Sequence, residues 1–146
     1  MMWRGNLHAS AVCRQGAGVL LLGPSGAGKS DLALRLIQAG FVLVADDRVC
    51  VDGLVASPPE ALAGLLEVRG LGLMRLPFTT ASLVLAVALA AGPLPAEMRL
   101  PAPENFPDLD IPLIRVDAGA ASAAMRVALA LDCLLGQVPM EAGAFA

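Results

Sequence analysis

A chain of 146 residues has the length of one globular domain, enough to bury a substantial core. A net charge of −3, 3% aromatic residues and no tyrosine provide neither the basic surface nor the stacking platforms of a nucleic-acid binder, so no nucleic-acid partner is expected. Hydrophobic residues reach 57% and the mean hydropathy is +0.71. Yet the longest apolar run, ASLVLAVALAAG at 81–92, falls well short of the roughly 20 residues of a spanning helix and closes at Gly92-Pro93, so no membrane span is expected.

The opening stretch, MMWRGNLHASAVCRQG, is polar and mixed, without the apolar centre of a secretion signal, and the expectation is a soluble, cytoplasmic protein. Cys13, Cys50 and Cys133 are widely spaced and odd in number. They fit neither a zinc pattern nor a disulfide framework and read as buried thiols in a reducing compartment. GVLLLG at 18–23 is a short apolar run closed by glycine, as a buried parallel strand would be. The following SDLALRLIQAG, 30–40, reads as a helix with a glycine C-cap, and FVLVADD, 41–47, as a second buried strand ending in two carboxylates. These three segments predict a βαβ unit with a right-handed crossover.

Between the first strand and the helix stands GPSGAGKSD, and it contains Lys29, the only lysine of the chain. Gly23, Gly28, Lys29 and Ser30 match G-x-x-x-x-G-K-[ST] in the strand-to-helix setting that separates a phosphate-binding loop from a chance match. Gly23, Pro24, Ser25, Gly26, Ala27 and Gly28 form a loop whose backbone N–H groups can turn inward on phosphate oxygens, aided by the positive end of the helix dipole. Lys29 then reaches the terminal phosphates of a nucleotide and Ser30 offers its hydroxyl to Mg²⁺, which makes ATP and Mg²⁺ the expected cofactors. Asp46 and Asp47 fall at the carboxyl end of the second strand, where α/β sheets place their ligands. Two readings are open for them. One carboxylate orients Mg²⁺ and the other accepts a proton from an attacking hydroxyl, or the pair is a solvated turn before Arg48.

Further along, VCVDGLV (49–55, turning at Asp52-Gly53), LLEVRG (65–70) and SLVLAVAL (82–89) are short strand candidates. Residues 92–112 hold six prolines and predict an extended or mobile loop, IPLIRV at 111–116 another strand, and SAAMRVALALDCLLG at 122–136 a helix ending at Gly136. No internal repeat or composition break interrupts the chain, so a single α/β domain over 1–146 is expected.

The segments LHASAV (7–12), GPSGAGKSDLALRLI, LVADDRV (43–49) and LLEVRGLGLM (65–74) occur in an order and spacing that resemble HPr kinase/phosphorylase, with E-V-R-G-L-G the most specific piece. The resemblance runs from His8 to about Met125 and implies the short form, a catalytic domain without the separate N-terminal domain of long members. It implies a mixed sheet with flanking helices, like the fold shared by HPr kinase and phosphoenolpyruvate carboxykinase. The implied activity is ATP- and Mg²⁺-dependent phosphorylation of a serine on the phosphocarrier protein HPr, in the bacterial phosphotransferase system. A homo-oligomer is implied as well.

The family's roles map onto this sequence residue by residue. His8 falls at an active-site histidine, although taken alone it reads equally as a structural residue. Asp47 falls at the proton acceptor, Asp46 at its supporting neighbour, and Glu67 at a magnesium ligand alongside Ser30. Arg69, Gly70 and Gly72 belong to the same signature, with a core β-bulge as their structural alternative. Arg99, in EMRLP, aligns with a catalytic arginine on a mobile loop, or is simply a solvent-facing arginine. In place of the Pro-Gly-Arg-Asn-like turn associated with dephosphorylation stands DAGAASAAMRVAL (117–129), so the kinase direction transfers better than phosphorolysis. Two rivals remain at this level: a small-molecule kinase of the same P-loop type, and a nucleotide-binding sensor that transfers nothing.

Overall fold

The computed structural model describes residues 3–146. The chain begins with two strands that sequence periodicity does not mark, β1 (Arg4–Leu7) and β2 (Ser10–Arg14), joined through His8 and Ala9. A two-residue turn at Gln15-Gly16, both at positive φ (52° and 81°), returns β2 antiparallel into β3 (Ala17–Leu22). The loop 23–28 leads into helix α1 (Lys29–Gln38), and β4 (Val42–Ala45) follows. β4 and β3 run in the same direction but are not neighbours, because β2 lies between them and pairs antiparallel with both. The expected βαβ crossover is therefore present with one strand inserted into it.

Strands β5 (Val49–Asp52) and β6 (Val55–Ser57) form the next hairpin. Asp52 pairs with Val55, so the turn residues are Gly53 and Leu54, one position later than the sequence suggested. Gly53 at φ 65° supplies the positive φ that the first turn position requires. β7 (Leu65–Val68) and β8 (Gly72–Arg75) form a separate two-stranded hairpin, and β9 (Ala81–Ala90) returns to the main sheet. The proline-rich stretch is more ordered than an open loop. It holds a 3₁₀ turn at Ala96–Met98 and a strand, β10 (Glu104–Phe106), antiparallel to β11 (Ile111–Asp117). Pro112 is tolerated in β11 because pairing with β9 starts only at Leu113, so its missing N–H breaks no ladder there. Arg115 donates to Glu104 across this hairpin at 2.9 and 3.0 Å, and those bonds hold the Glu104 carboxyl below its ordinary range. Helix α2 (Ala123–Leu134) closes the fold.

The spine is β9. It pairs in parallel with β3 along one edge, and on the other edge it pairs with β6 near its start and β11 near its end. The nine-stranded sheet is buried on both faces. Val12, Val19, Leu21, Leu85, Val87 and Leu89 face α1 and α2, whose Leu32, Leu36, Val127 and Leu131 complete that core. Ala11, Cys13, Leu20, Leu83 and Ala86 point the other way, into a second core closed by Val49, Val51, Ile111 and Leu113. Strict alternation would put Leu83 and Leu85 on the same face. A bulge opposite Gly18/Val19 skips Val84 in the pairing and reverses the phase, so the two leucines enter different cores.

This two-sided burial explains the high hydropathy of 81–90 without a membrane, and no helix among the described residues is long and apolar enough to cross one. Burial also pushes up the Cys13 thiol, leaving it an inert core group. Arg14, stacked 5.1 Å above the Phe41 ring, pairs with Asp132 and ties the end of α2 to β2.

Leu85 is fully buried whereas Leu73 on β8 is 65% exposed. Leu85→Ala is therefore expected to lower unfolding stability by about 2–5 kcal/mol and Leu73→Ala by less than about 0.5 kcal/mol, read from urea denaturation midpoints. Equal costs would contradict the burial described.

Candidate active site

Four segments converge at the carboxyl ends of β3 and β4. Loop 23–28 connects β3 to α1 with Gly26 at φ 84° and Gly28 at φ 100°. Gly28 also touches the turn after β11, since a Cβ there would sit 3.4 Å from that of Ala118. At Gly23 a Cβ would come within 2.9 Å of the Ala27 Cβ, so only glycine lets the loop close on itself. Lys29 is 7% exposed, and its ammonium donates to the Gly23 carbonyl at 2.6 Å and to that of Pro24 at 3.0 Å. The sole lysine thus folds back over the loop it belongs to.

Asp46 is the hub behind the loop. It is 8% exposed, and its Oδ1 accepts from the hydroxyls of Ser30 and Ser10, each at 2.7 Å. A buried carboxylate is costly unless hydrogen-bonded, and here two hydroxyls on two different elements meet one oxygen. Asp47 then turns outward. It stands at φ 69°, and the Arg48 N–H donates to the Asp46 carbonyl at 2.8 Å, which makes residues 46–48 a γ-turn of the rare positive-φ kind. Such a conformation costs a non-glycine residue about 1–3 kcal/mol. The turn presents the Asp47 carboxylate to His8, whose Nε2 lies 3.1 Å from Asp47 Oδ1.

His8, Lys29, Ser30, Asp47, Glu67 and Arg69 line one cleft of about 480 Å³, joined by Ser10, Ser25, Gly26 and Gly28. The β7–β8 hairpin supplies Glu67 and Arg69. Its three-residue loop 69–71 closes with the Leu71 N–H on the Val68 carbonyl, Gly70 stands at φ 82°, and all of β8 is exposed. The signature glycines therefore make an exposed hairpin rather than a core bulge. Asp46 stands behind the cleft wall through its bonds to Ser10 and Ser30.

Arg99 lies elsewhere. It lines a different cavity of about 490 Å³ between residues 94–102, α2 and residues 138–145. Ser10 is the site residue that the sequence reading left out. Its signal was available, since Ser10 follows His8 by two residues on extended chain and so faces the same side.

Among the described residues no three His, Cys, Asp or Glu side chains cluster tightly enough to hold a metal by themselves. Hard oxygens do gather at the loop, namely the Ser30 hydroxyl and the carboxylates of Asp47 and Glu67. Mg²⁺ ordinarily takes one or two protein oxygens and completes its shell with water and phosphate, so this donor set fits it.

Comparison with known proteins bears on the same residues. The family model of the HPr serine kinase C-terminal domain matches residues 2–79, which include every segment of the cleft. The chain is 49% identical over 73 residues to the HPr kinase/phosphorylase of Bacillus pumilus, a match spanning 47% of this chain and 24% of the Bacillus protein. In fold it resembles the solved Hpr(Ser) kinase/phosphatase of Coxiella burnetii, with a TM-score of 0.73 at 24% identity over 90% of this chain and 92% of that one.

Two consequences of the geometry are measurable. Asp47→Gly releases the backbone strain, and it is expected to unfold at a urea concentration no lower than the parent chain, although it lacks a cleft carboxylate. Ser10→Ala leaves the Asp46 carboxylate with one hydroxyl fewer and is expected to cost about 1–3 kcal/mol by the same assay.

Proposed function

This chain belongs to the HPr serine kinase C-terminal domain family, and from that premise we propose that it transfers the γ-phosphoryl group of ATP to a serine hydroxyl of the phosphocarrier HPr. The observation that carries the reading is the meeting of the phosphate loop with His8 and Asp47 in one cleft. A loop that only stored a nucleotide would have no use for a strained carboxylate beside it.

In this reading the loop amides and Lys29 grip the phosphates, and Lys29 exchanges its two carbonyl partners for phosphate oxygens. Ser30 and Glu67 would hold Mg²⁺, which neutralises charge on the phosphate oxygens when bound. Asp47 accepts the serine proton as the serine oxygen bonds to phosphorus and the bond from phosphorus to the β,γ-bridging oxygen breaks, leaving ADP. His8, hydrogen-bonded to Asp47, orients that carboxylate. Asp46 holds the Ser30 hydroxyl in place from behind. Arg99 takes no part in these steps, because it faces the other cavity. The enzyme works in the cytoplasm, where ATP and a phosphocarrier are both at hand.

The test is transfer of label from γ-labelled ATP to HPr of the same cell, in Mg²⁺. Label is expected on serine. Asp47→Asn should slow it about 10²–10⁴-fold while nucleotide affinity stays within about twofold. Nucleotide binding by the unaltered chain without any label on HPr would defeat the kinase reading in favour of a sensor or a small-molecule kinase. A normal rate in Asp47→Asn would remove Asp47 from the proton step.

A further inference from the structure

Loop 23–28 stands between two cavities rather than at the edge of one. Strand β3 lies mid-sheet, with β2 and β4 on one side and β9 and β11 on the other. The cleft with His8, Asp47 and Glu67 is on the β2/β4 side. On the β9/β11 side a second cavity of about 520 Å³ opens, bounded by the loop, the segment after β9 and the turn after β11. The two share Ser25 and Gly26 and no other residue.

The second cavity differs in chemistry. Its walls are small and apolar, with Ala27, Leu89, Ala91 and Pro93, and its one charged residue is Asp117. The carboxylate is fixed in place, because the Gly119 N–H donates to its Oδ1 at 2.9 Å. The turn carrying it is fixed to the phosphate loop as well. Arg35 on α1 donates to the carbonyls of Ala118 at 2.6 Å and Ala120 at 3.3 Å. An anion would be repelled by Asp117, whereas a flat uncharged group with an N–H or O–H donor would find both a wall and an acceptor.

We infer that this second cavity receives the nucleoside end of the nucleotide, with Asp117 accepting a hydrogen bond from a base or ribose donor. The inference rests on the proposed kinase reading and adds the direction in which the nucleotide lies. In-line transfer places the attacking and leaving oxygens on opposite sides of the phosphorus. With the acceptor hydroxyl entering beside Asp47, the leaving diphosphate and its nucleoside must extend to the other side of the loop. That side holds the second cavity. Its volume falls in the range of small-ligand sites.

Isothermal titration of the full chain with ATP and with inorganic tripolyphosphate, both with Mg²⁺, separates the nucleoside from the phosphates. The parent chain is expected to bind ATP at least about tenfold tighter than tripolyphosphate. Asp117→Ala should weaken ATP about tenfold and leave tripolyphosphate within about twofold. Gly92→Phe gives a second route. A Cβ at Gly92 meets nothing within 4 Å, so the ring fills cavity space without disturbing the core. It should show the same selective loss of ATP. If both variants bind ATP as the parent does, or lose ATP and tripolyphosphate equally, the inference is overturned. If the parent binds neither ligand, the phosphate loop itself has been misread, a different failure that takes the kinase reading with it.

Discussion

The Asp46 carboxylate, buried and accepting two hydroxyls on one oxygen, is the interaction on which the site depends. It joins the start of β2, the first turn of α1 and the end of β4, three elements far apart in the chain. A charged group withdrawn from water must be satisfied where it stands, so any drift of one element breaks a bond that water cannot easily replace. Because Asp46 is drawn inward, the chain has to reverse at the next residue. The reversal is the γ-turn that aims Asp47 at His8. Anchor and strain are adjacent, and the first holds the second.

Beyond this anchor, the sheet divides labour across β3. On one side lie the carboxylates and the histidine, and on the other a small apolar recess with a single fixed carboxylate. The division follows from topology, with β2 inserted between β3 and β4 and β9 paired on the opposite edge. The glycine loop belongs to both sides. Its torsions are set by close contacts, at Gly23 against Ala27 and at Gly28 against Ala118. Arg35 makes the far side rigid by bonding two carbonyls of the turn after β11. The Asp31 carboxylate lies 3.1 Å from Arg35 Nε but out of line for a hydrogen bond, so the clamp rests on the carbonyls.

Much of the site was legible because its signals are local. G-x-x-x-x-G-K-S specifies a loop and a helix start within nine residues, and backbone torsion preference needs no distant partner to be read. The pair Asp46-Asp47 at a strand end was likewise visible, and so were β3, α1, β4, β9 and α2 from apolar runs and glycine punctuation. Other features depended on partners remote in sequence. β1 and β2 are too short and mixed to show a period. The 3₁₀ turn and β10 inside the proline-rich stretch exist because β11 offers an edge to pair with. The hairpin at 69–72 was open to a bulge reading because glycines serve both, and only the exposure of β8 decides between them.

By itself, then, the sequence determined that a phosphate loop lies between a buried strand and a helix, that two carboxylates end the next strand, and that the chain resembles one kinase family. These follow from torsion preferences and apolar spacing acting over a few residues. Only the tertiary structure decided that Ser10 and Ser30 share one oxygen of Asp46, that Asp47 takes a strained turn toward His8, and that Arg99 stands on another cavity. It also decided that a bulge sends Leu83 and Leu85 into separate cores. Each of these depends on which strands become neighbours. Strand order is set by the burial of two sheet faces at once, a free energy summed over the whole chain rather than written in any short stretch of it.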